Sequence, residues 1–553
     1  MAHAADPAAT DVSAKDVSAK VDAAKEAAAK ANTFQSSAER SVRKSVALSP
    51  AERSKAAQLN KAAGLGKAAA AADAAPLAKE NPGLDLSLGA RGTSARGIEL
   101  TSHVSTGVAS AIRIEINWGD GSEVETEYTV ESKTLSSKHT YAEVGAHPIT
   151  VTVTDLNNEV SVTNSMGVTS AGSEFVPHDP TRLLDTRDGT GAASAQAVAP
   201  YGTTRVKVGG NSGIPADVTA VALNVTVTNA AADGHITAYA SGTEQPKASN
   251  VNFVAGQTVP NLTIVPVGAD GYVELANRSW GNVDLIADVT GYFTRSAANG
   301  YTSLDPARLV DSRNGWGDQW GGLPGGSTSG LRVAGQAGVP ATGVTAVALN
   351  VTVTNPKAAG HLTVFPGGQQ APSTSNVNFT AGQTVANSVI VPVGQDGWLS
   401  FRNGSWNTAD VIVDVVGYYS ADSKASYLPV TPTRLHDSRD WSWPLAAQDY
   451  RYLWLSYDRP AVTAYVLNTT VTNTQGEGHL SVAPDPNTRD QYLALAQVRP
   501  TPPNSSNLNW TKGTTVPNLV QASTGKNGVI DWWNRSWQPT DLVIDMFGLY
   551  ENR

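Results

Sequence analysis

Arg182-Leu-Leu-Asp-Thr-Arg187 occurs again as Arg308-Leu-Val-Asp-Ser-Arg313 and as Arg434-Leu-His-Asp-Ser-Arg439. Each copy starts 126 residues after the one before it, as the positions 182, 308 and 434 show. This spacing is much longer than the roughly 20–50 residues of solenoid repeats. Each copy is therefore long enough to bury a core of its own.

Further segments recur in the same order within each copy. They are Leu223–Asn229, Leu349–Asn355 and Leu467–Asn473; the Gly-His pairs at His235, His361 and His479; Ser249–Asn252, Ser375–Asn378 and Ser506–Asn509; and an Asn-x-Ser-Trp sequence ending at Trp280, Trp406 and Trp537. We expect seven or eight short strands per copy, separated by turn signals such as Asp270-Gly271. This pattern predicts a β-sandwich of the jelly-roll-like type.

The repeat resembles an uncharacterised module of secreted actinobacterial proteins. The resemblance rests on Thr181-Arg-Leu-Leu-Asp-Thr-Arg187 near the start and Asp288-Val-Thr-Gly-Tyr-Phe293 at the end, and such segments cover residues 175–551. It implies an exported protein with wall-associated or surface relatives. It supplies no catalytic residue.

Residues 84–170 precede the repeats and contain alternating strand sequences such as Arg113–Ile116 and Ile149–Val153. Trp118-Gly-Asp-Gly-Ser122 and His139-Thr-Tyr141, followed by Gly145, resemble the signature of a PKD domain. That resemblance implies a seven-stranded Ig-like sandwich with a spacer or interaction role on secreted and surface proteins.

The first 83 residues differ in composition from the rest, being rich in Ala and Lys with few larger apolar residues. They predict a mobile, partly helical tail without a core. Ala2-His-Ala4 has the small-x-small form that ends a signal peptide. The expected domains are 1–83 (tail), 84–172 (PKD-like), and the β modules 173–296, 297–422 and 423–553, here called modules 1, 2 and 3.

The bulk composition excludes several classes of function. A net charge of −9 and an isoelectric point of about 5.5 argue against a nucleic-acid partner. With no cysteine, disulfides and cysteine-based metal sites are excluded. No apolar run is long enough to insert into a membrane. We expect no cofactor; Asp120 and Asp185 with Asp188 are potential calcium ligands, but each segment has too few oxygens alone.

No nucleophile elbow, phosphate-binding loop or dinucleotide fingerprint occurs, so we expect a protein that is not an enzyme. The Arg-x-x-Asp-x-Arg segments predict internal ion-pair clusters, with an anion-binding role as the alternative. The repeated histidines predict structural turn or strand-start residues rather than metal ligands.

Candidate ligand-binding residues combine an aromatic face for a pyranose with amides for its hydroxyls. They are Trp280, Trp406 and Trp537 with Asn250, Asn252, Asn376, Asn378, Asn507 and Asn509. Against this, turn asparagines often bond their own backbone, and a tryptophan beside a hairpin can be a packing lid.

The third copy has seven of the thirteen tryptophans. Trp441, Trp443, Trp532 and Trp533 are therefore further candidates, and strand alternation predicts that at least one of Trp532, Trp533 and Trp537 faces outward. The alternative is a core with larger side chains.

Two main functions remain, and the sequence alone does not decide between them. The first is a secreted, non-catalytic protein that binds glycan or cell-wall polymer through tandem modules. The second is a structural component of a bacterial surface or particle that docks proteins through its tail and third module. An inhibitor or an enzyme accessory protein is the third.

Overall fold

The structure is a computed structural model that describes residues 7–65, 80–316 and 321–552, with side chains from residue 16 onward. Ala2–Ala4 lies outside the described residues. The described chain is nearly all antiparallel β structure, which confirms the predicted fold class. It forms two compact units, a three-module unit (Met1–Lys25 and Ser173–Arg553) and a sandwich unit (Glu26–Gly172).

The described helices are few. They are α1 (Pro7–Lys30), α2 (Pro50–Ala62), α3 (Arg489–Leu493) and short 3-10 helices at Ala38–Arg40, Ser312–Asn314 and Ser438–Trp441. A capping box starts α2, because the Ser49 side chain accepts from the Glu52 amide and the Glu52 carboxylate accepts from the Ser49 amide. No helix in the described ranges has both the length and the apolarity to cross a bilayer.

The described residues of the sandwich unit form nine strands in two sheets. They are β1 (Thr33–Ser36), β2 (Val42–Ser45), β3 (Asp85–Gly92), β4 (Gly97–Ser105), β5 (Ile112–Asn117), β6 (Glu125–Thr129), β7 (Lys133–Thr140), β8 (Ala146–Asp155) and β9 (Val160–Thr169). One sheet has the order β1-β3-β4-β7 and the other β2-β9-β8-β5-β6. Trp118 and Tyr141 of the PKD-like signature are buried in the core between them.

The N-terminal segment, predicted as a mobile, partly helical tail without a core, contains two strands beside its helices. Strand β1 pairs with β3 and β2 pairs with β9, so this segment adds one edge strand to each sheet of the sandwich. The Ser36 hydroxyl donates to the Asn164 side chain at 2.7 Å, which anchors the segment further. Composition alone missed these strands because they pair with the open backbone edges of other strands, and of their side chains Phe34 packs against the sandwich core.

Eight strands are found in the described part of each of modules 1, 2 and 3. Module 1 has β10 (Glu174–Asp185), β11 (Thr203–Lys207), β12 (Ala220–Thr228), β13 (Gly234–Ala240), β14 (Val251–Phe253), β15 (Val259–Pro266), β16 (Tyr272–Asn277) and β17 (Asp284–Thr294). Module 2 has β18 (Gly300–Asp311), β19 (Thr328–Arg332), β20 (Val344–Thr354), β21 (Gly360–Pro366), β22 (Val377–Phe379), β23 (Val385–Pro392), β24 (Trp398–Asn403) and β25 (Asp410–Ser420). Module 3 has β26 (Ser426–Asp437), β27 (Tyr450–Trp454), β28 (Val462–Thr472), β29 (Gly478–Pro484), β30 (Leu508–Trp510), β31 (Val516–Ser523), β32 (Val529–Asn534) and β33 (Asp541–Glu551).

The eight strands of each module form two four-stranded antiparallel sheets. In module 1 the inner sheet has the order β10-β17-β12-β15 and the outer sheet β11-β16-β13-β14, and the other modules repeat both orders. Strand β12 is buried on both faces. Leu223 and Val225 point into the module's own core, whereas Ala220 and Ala222 belong to a cluster shared by all three modules.

The shared cluster contains Phe547 and six further aromatic side chains, two from each module, whose rings contact one another: Phe175, Phe293, Tyr301, Tyr419, Tyr427 and Tyr550. Their ring centroids meet in a closed sequence, with Phe175–Tyr419 at 4.2 Å, Tyr301–Tyr550 at 4.2 Å and Tyr427–Phe293 at 4.6 Å. Module 1 therefore contacts module 2, module 2 contacts module 3, and module 3 contacts module 1. The three modules form a closed, pseudo-threefold assembly within one chain.

The glycine of each terminal Gly-aromatic sequence lies beneath one of these rings. A Cβ on Gly291 would overlap the Phe175 ring, and a Cβ on Gly417 or Gly548 would overlap Tyr301 or Tyr427. Glycine is required in mid-strand here because the cross-strand aromatic side chain covers its backbone.

Helix α1 packs onto module 3 within the three-module unit. Val17 and Val21 are buried, the Arg459 guanidinium donates to Asp22 at 2.7 Å, and Lys25 forms an ion pair with Glu551. These contacts give residues 17–25 a fixed partner, in contrast to the mobile tail that composition predicts.

Candidate functional site

The Asn-x-Ser-Trp turns begin at the last residue of β16, β24 and β32, and this asparagine is fully buried in all three modules. Asn403 donates its side-chain amide to the carbonyl oxygens of Leu323 and Asn407, both at 2.9 Å, and accepts from the Ser405 amide at 2.9 Å. The Ser405 hydroxyl accepts from the Asn407 amide at 3.3 Å. The Asn403 and Ser405 side chains thus both bond the backbone of Asn407, the residue after Trp406, and hold the turn in place.

The other two turns are built in the same way. Asn277 donates to the Gly281 carbonyl oxygen and Asn534 to that of Gln538, each at 2.9 Å. The Ser279 and Ser536 hydroxyls accept from the amide two residues later. A repeated hydrogen-bond pattern therefore sets the same local backbone in all three modules.

This backbone places three indole rings in solvent. Trp280 is 82% exposed, Trp406 98% and Trp537 82%. Each is followed within two residues by an exposed amide side chain, that of Asn282, Asn407 or Gln538. The structure thus puts these tryptophans at the surface, where the sequence analysis left a packing role open.

The loop after each Arg-x-x-Asp-x-Arg segment lies against the turn. In module 1 it ends at Tyr201, whose ring meets Trp280 edge-to-face at 4.8 Å. In module 3 it includes Trp441 (63% exposed) and the partly exposed Trp443. The Gln448 amide of that loop donates to the Ser536 carbonyl oxygen at 3.1 Å, so the loop and the Trp537 turn share one end of module 3.

The Ser-Asn-x-Asn amides, in contrast, are mostly internal. Asn250 is buried, accepting from the Ala238 amide and donating to the Thr263 hydroxyl, both at 2.8 Å. Asn376 and Asn507 are buried and accept from the Val364 and Val482 amides at 2.7 Å. These three candidates are corrected to structural residues, because interstrand bonds already occupy their side chains.

The second asparagine of each Ser-Asn-x-Asn sequence is half-buried. Asn252 and Asn378 accept from Ser249 and Ser375 at 3.1 Å. Asn509 occupies the same position in module 3 and pairs with His479 across the strands. None of the three is brought close to an exposed indole by the described contacts.

Trp532 and Trp533, two of the candidate ligand-binding residues, lie inside module 3, whereas Trp537 faces outward, as predicted for at least one of the three. Trp532 points into the sandwich, and Trp533 stacks on Tyr450 at 4.6 Å, with the Arg499 guanidinium beside both rings at 5.3 and 5.4 Å from their centroids. Strand alternation does hold in β32. Trp532 and Trp533 point to opposite faces of this strand, but other residues of module 3 cover the outer face, so neither ring is exposed. Of Trp532, Trp533 and Trp537, the exposed residue is Trp537.

The Arg-x-x-Asp-x-Arg segments form the predicted internal clusters. Arg182 bonds Asp288 at 2.9 Å and Asp185 at 3.1 Å, and Arg187 bonds Asp185 through two nitrogens. The hydrogen bond from Arg187 lowers the pKa of Asp185. Arg182 also donates to the Ser373 carbonyl oxygen of module 2, so the cluster stabilises a module interface as well as the strand pair.

The described residues contain no group of three or more His, Asp or Glu side chains suited to a metal ion. Asp120 is occupied by Ser122 and by His139, at 2.6 and 2.7 Å. Burial lowers the pKa of His235, His361 and His479. Exposed indoles with flanking amides, by contrast, occur at the equivalent turn of all three modules.

No protein-family model matches this chain, and no curated protein matches it. Among solved structures, a SusE-like protein shares 9% identity, with 35% of this chain and 94% of that one covered and a TM-score of 0.11. Two similar structures are titled "The Triple Jelly Roll Fold and Turret Assembly in an Archaeal Virus" (8% identity, 69% and 90% covered, TM-score 0.15) and "Life in the extremes: atomic structure of Sulfolobus Turreted Icosahedral Virus" (8%, 68% and 91%, 0.15). Similarities with such low TM-scores carry no argument here.

Proposed function

We propose that this chain is a secreted, non-catalytic protein that binds glycan or cell-wall polymer through its three Asn-x-Ser-Trp turns. The observation that carries the proposal is the exposure of Trp280, Trp406 and Trp537 at equivalent positions. Leaving a large indole in water forgoes about 2–3 kcal/mol of burial. Three such residues, each on a turn held by internal bonds, are best explained by a shared binding role.

Glycan is the ligand class that this chemistry fits best. An indole face covers the apolar C–H side of a pyranose, and the exposed amide beside each ring offers a donor and an acceptor for sugar hydroxyls. The rigid turn also reduces the entropy lost on binding.

The arrangement of the three turns supports a repeating ligand. Equivalent residues of a pseudo-threefold assembly lie at one level along its axis, so the three indoles are spaced around the assembly at the same level. Three weak sites on one chain gain roughly 10²–10⁴-fold in avidity over one when a polymer reaches them together.

Secretion belongs to the same proposal and is supported by the resemblance to exported actinobacterial modules and to a PKD domain. A structural component that docks proteins through its tail is the alternative. Residues 17–25 of that tail already bind module 3 of their own chain, which favours the binding function over this alternative.

A co-sedimentation assay with insoluble cell-wall polysaccharide tests the proposal. The triple variant Trp280→Ala, Trp406→Ala, Trp537→Ala should stay in the supernatant. Trp398→Ala is the matched control, because Trp398 is 40% exposed but lies outside the turns, and it should bind like the wild type. Equal binding of the polysaccharide by the triple variant and the control would contradict the proposal. Selective binding of wall proteins by the wild type and both variants would also contradict it.

A further inference from the structure

Module 3 contains a cation for which modules 1 and 2 have no counterpart. Arg451 of β27 lies opposite Trp532, and the same register places Thr204 opposite Leu275 and Ser329 opposite Phe401. A neutral side chain therefore serves at this position in the other two modules, and the sandwich fold does not require an arginine.

Arg451 is half-buried and stacks on an indole. Its guanidinium carbon lies 4.0 Å from the centroid of the Trp443 ring, and one nitrogen donates to the Trp443 carbonyl oxygen at 3.2 Å. Stacking uses the face of the guanidinium and leaves its remaining N–H edge free for a planar, two-oxygen acceptor.

No carboxylate of the described residues forms an ion pair with Arg451, although Asp449 is near enough to act at longer range. Burial lowers the pKa of this guanidinium. By comparison, Arg182, Arg308 and Arg434 each bond two aspartates. A half-buried arginine is normally paired, so Arg451 is an uncompensated cation.

Arg451 lies at the end of module 3 that presents exposed indoles. Its stacking partner Trp443 belongs to the same loop as Trp441. Asn534 of the Trp537 turn donates to the Leu445 and Ala446 carbonyl oxygens of this loop at 3.1 and 3.0 Å. A sugar held at this end can therefore meet both an aromatic surface and a positive charge.

We propose that module 3 selects an acidic sugar, with Arg451 binding the carboxylate of a uronic acid residue beside Trp441 and Trp443. This inference rests on the proposed glycan-binding function and adds the charge of the sugar that module 3 takes. The guanidinium edge matches a carboxylate in two parallel hydrogen bonds, which a neutral sugar does not offer.

Affinity electrophoresis of the full chain in gels that contain polygalacturonate or its methyl ester tests the inference. The wild type should be retarded roughly tenfold more strongly by the acid than by the ester. Arg451→Gln should bring the two to parity without changing retardation by the ester. Arg451→Lys, which keeps the charge but not the planar pair of donors, should recover only part of the preference.

Arg402→Gln is the matched control, since it removes an exposed arginine of module 2 and should keep the preference. The inference would be overturned if Arg402→Gln and Arg451→Gln lost the preference for the acid equally, or if Arg451→Gln kept that preference in full. Either result would leave the proposed glycan binding intact. If Arg451→Gln does not fold, Arg451→Lys decides alone, and full selectivity in that variant would count against the inference. Failure of the wild type to bind either polymer or any wall polysaccharide would overturn both proposals.

Discussion

The side-chain amide of Asn387 in module 2 donates to the side-chain oxygen of Asn224 in module 1 at 2.8 Å. The same bond joins Asn518 to Asn350 at 3.0 Å and Asn261 to Asn468 at 3.1 Å, so the three modules are linked in a closed cycle. All six side chains are buried. Module contacts thus repeat with the sequence repeat, and the three turns acquire a fixed mutual arrangement.

Replacing Asn387 with Ala should weaken this cycle strongly. Asn387 also accepts from the Leu262 amide of module 1 at 3.1 Å, so the variant leaves buried groups in both modules unpaired. We expect a loss of about 2–4 kcal/mol, seen as a lower melting temperature in calorimetry. Asn378→Ala is the control, because Asn378 is only half-buried. If Asn387→Ala melted at as high a temperature as Asn378→Ala, this would argue against a stabilising role for the asparagine cycle.

Asp311→Ala should destabilise module 2 by about 2–3 kcal/mol. Asp311 bonds Arg308 and Arg313, but Arg313 is 49% exposed, so the loss stays below that of a fully buried pair. Urea unfolding measures this change, with the exposed Asp188→Ala as a nearly neutral control. An unaltered midpoint combined with lost glycan binding would assign the cluster to the ligand site instead.

His436 should make module 3 sensitive to mild acid. Burial, with Arg451 and Lys20 nearby, lowers its pKa to about 4, and its Nε2 has no hydrogen-bond partner. The unfolded chain binds the proton more readily, so stability is complete above about pH 6.5 and is lost as the pH falls toward 4, by on the order of 3 kcal/mol.

The variant His436→Leu, which introduces the residue of module 1 at position 184, should remove this acid sensitivity. Melting temperatures of both proteins between pH 7 and 4 provide the comparison. Parallel curves for the variant and the wild type would show that another group causes the decline.

Trp533→Ala and Trp537→Ala should have opposite effects. Trp533 is buried against Tyr450, so its removal should cost about 3–5 kcal/mol of stability. Trp537 is 82% exposed, and its removal should change stability by less than about 0.5 kcal/mol while weakening glycan binding. Thermal unfolding and binding measured on the same samples separate the two roles. Equal losses of stability would show that Trp537 also packs.

Much of the fold could be predicted from the sequence, because two-residue alternation and turn signals report local structure. The alternating segments Arg113–Ile116 and Ile149–Val153 lie within β5 and β8, and the seven or eight strands predicted for each repeat are eight in the described residues. The closed assembly was not predicted. Asn224 and Asn261 recur in all three copies within otherwise apolar strands. These repeated polar residues were the sequence signal that the face of each inner sheet turned away from its own core contacts another module.

The site was predicted in part. The turn context of Trp280 indicated a surface position, and the repeated asparagine and serine before it are the residues that hold the turn. Asn250 was misassigned because a short strand beside a turn looks the same whether its amide bonds a ligand or a neighbouring strand. The cover over Trp533 comes from residues as distant as Arg499, which alternation within a single strand does not reveal.

Isothermal titration calorimetry with a short wall oligosaccharide tests the central claim most directly, because a ligand that spans only one turn reports the number of sites. We predict three sites per chain in the wild type, two in Trp406→Ala, one when Trp280→Ala is added, and none when Trp537→Ala follows. A single site in the wild type, or a stoichiometry that stays constant through the series, would contradict binding by the three turns.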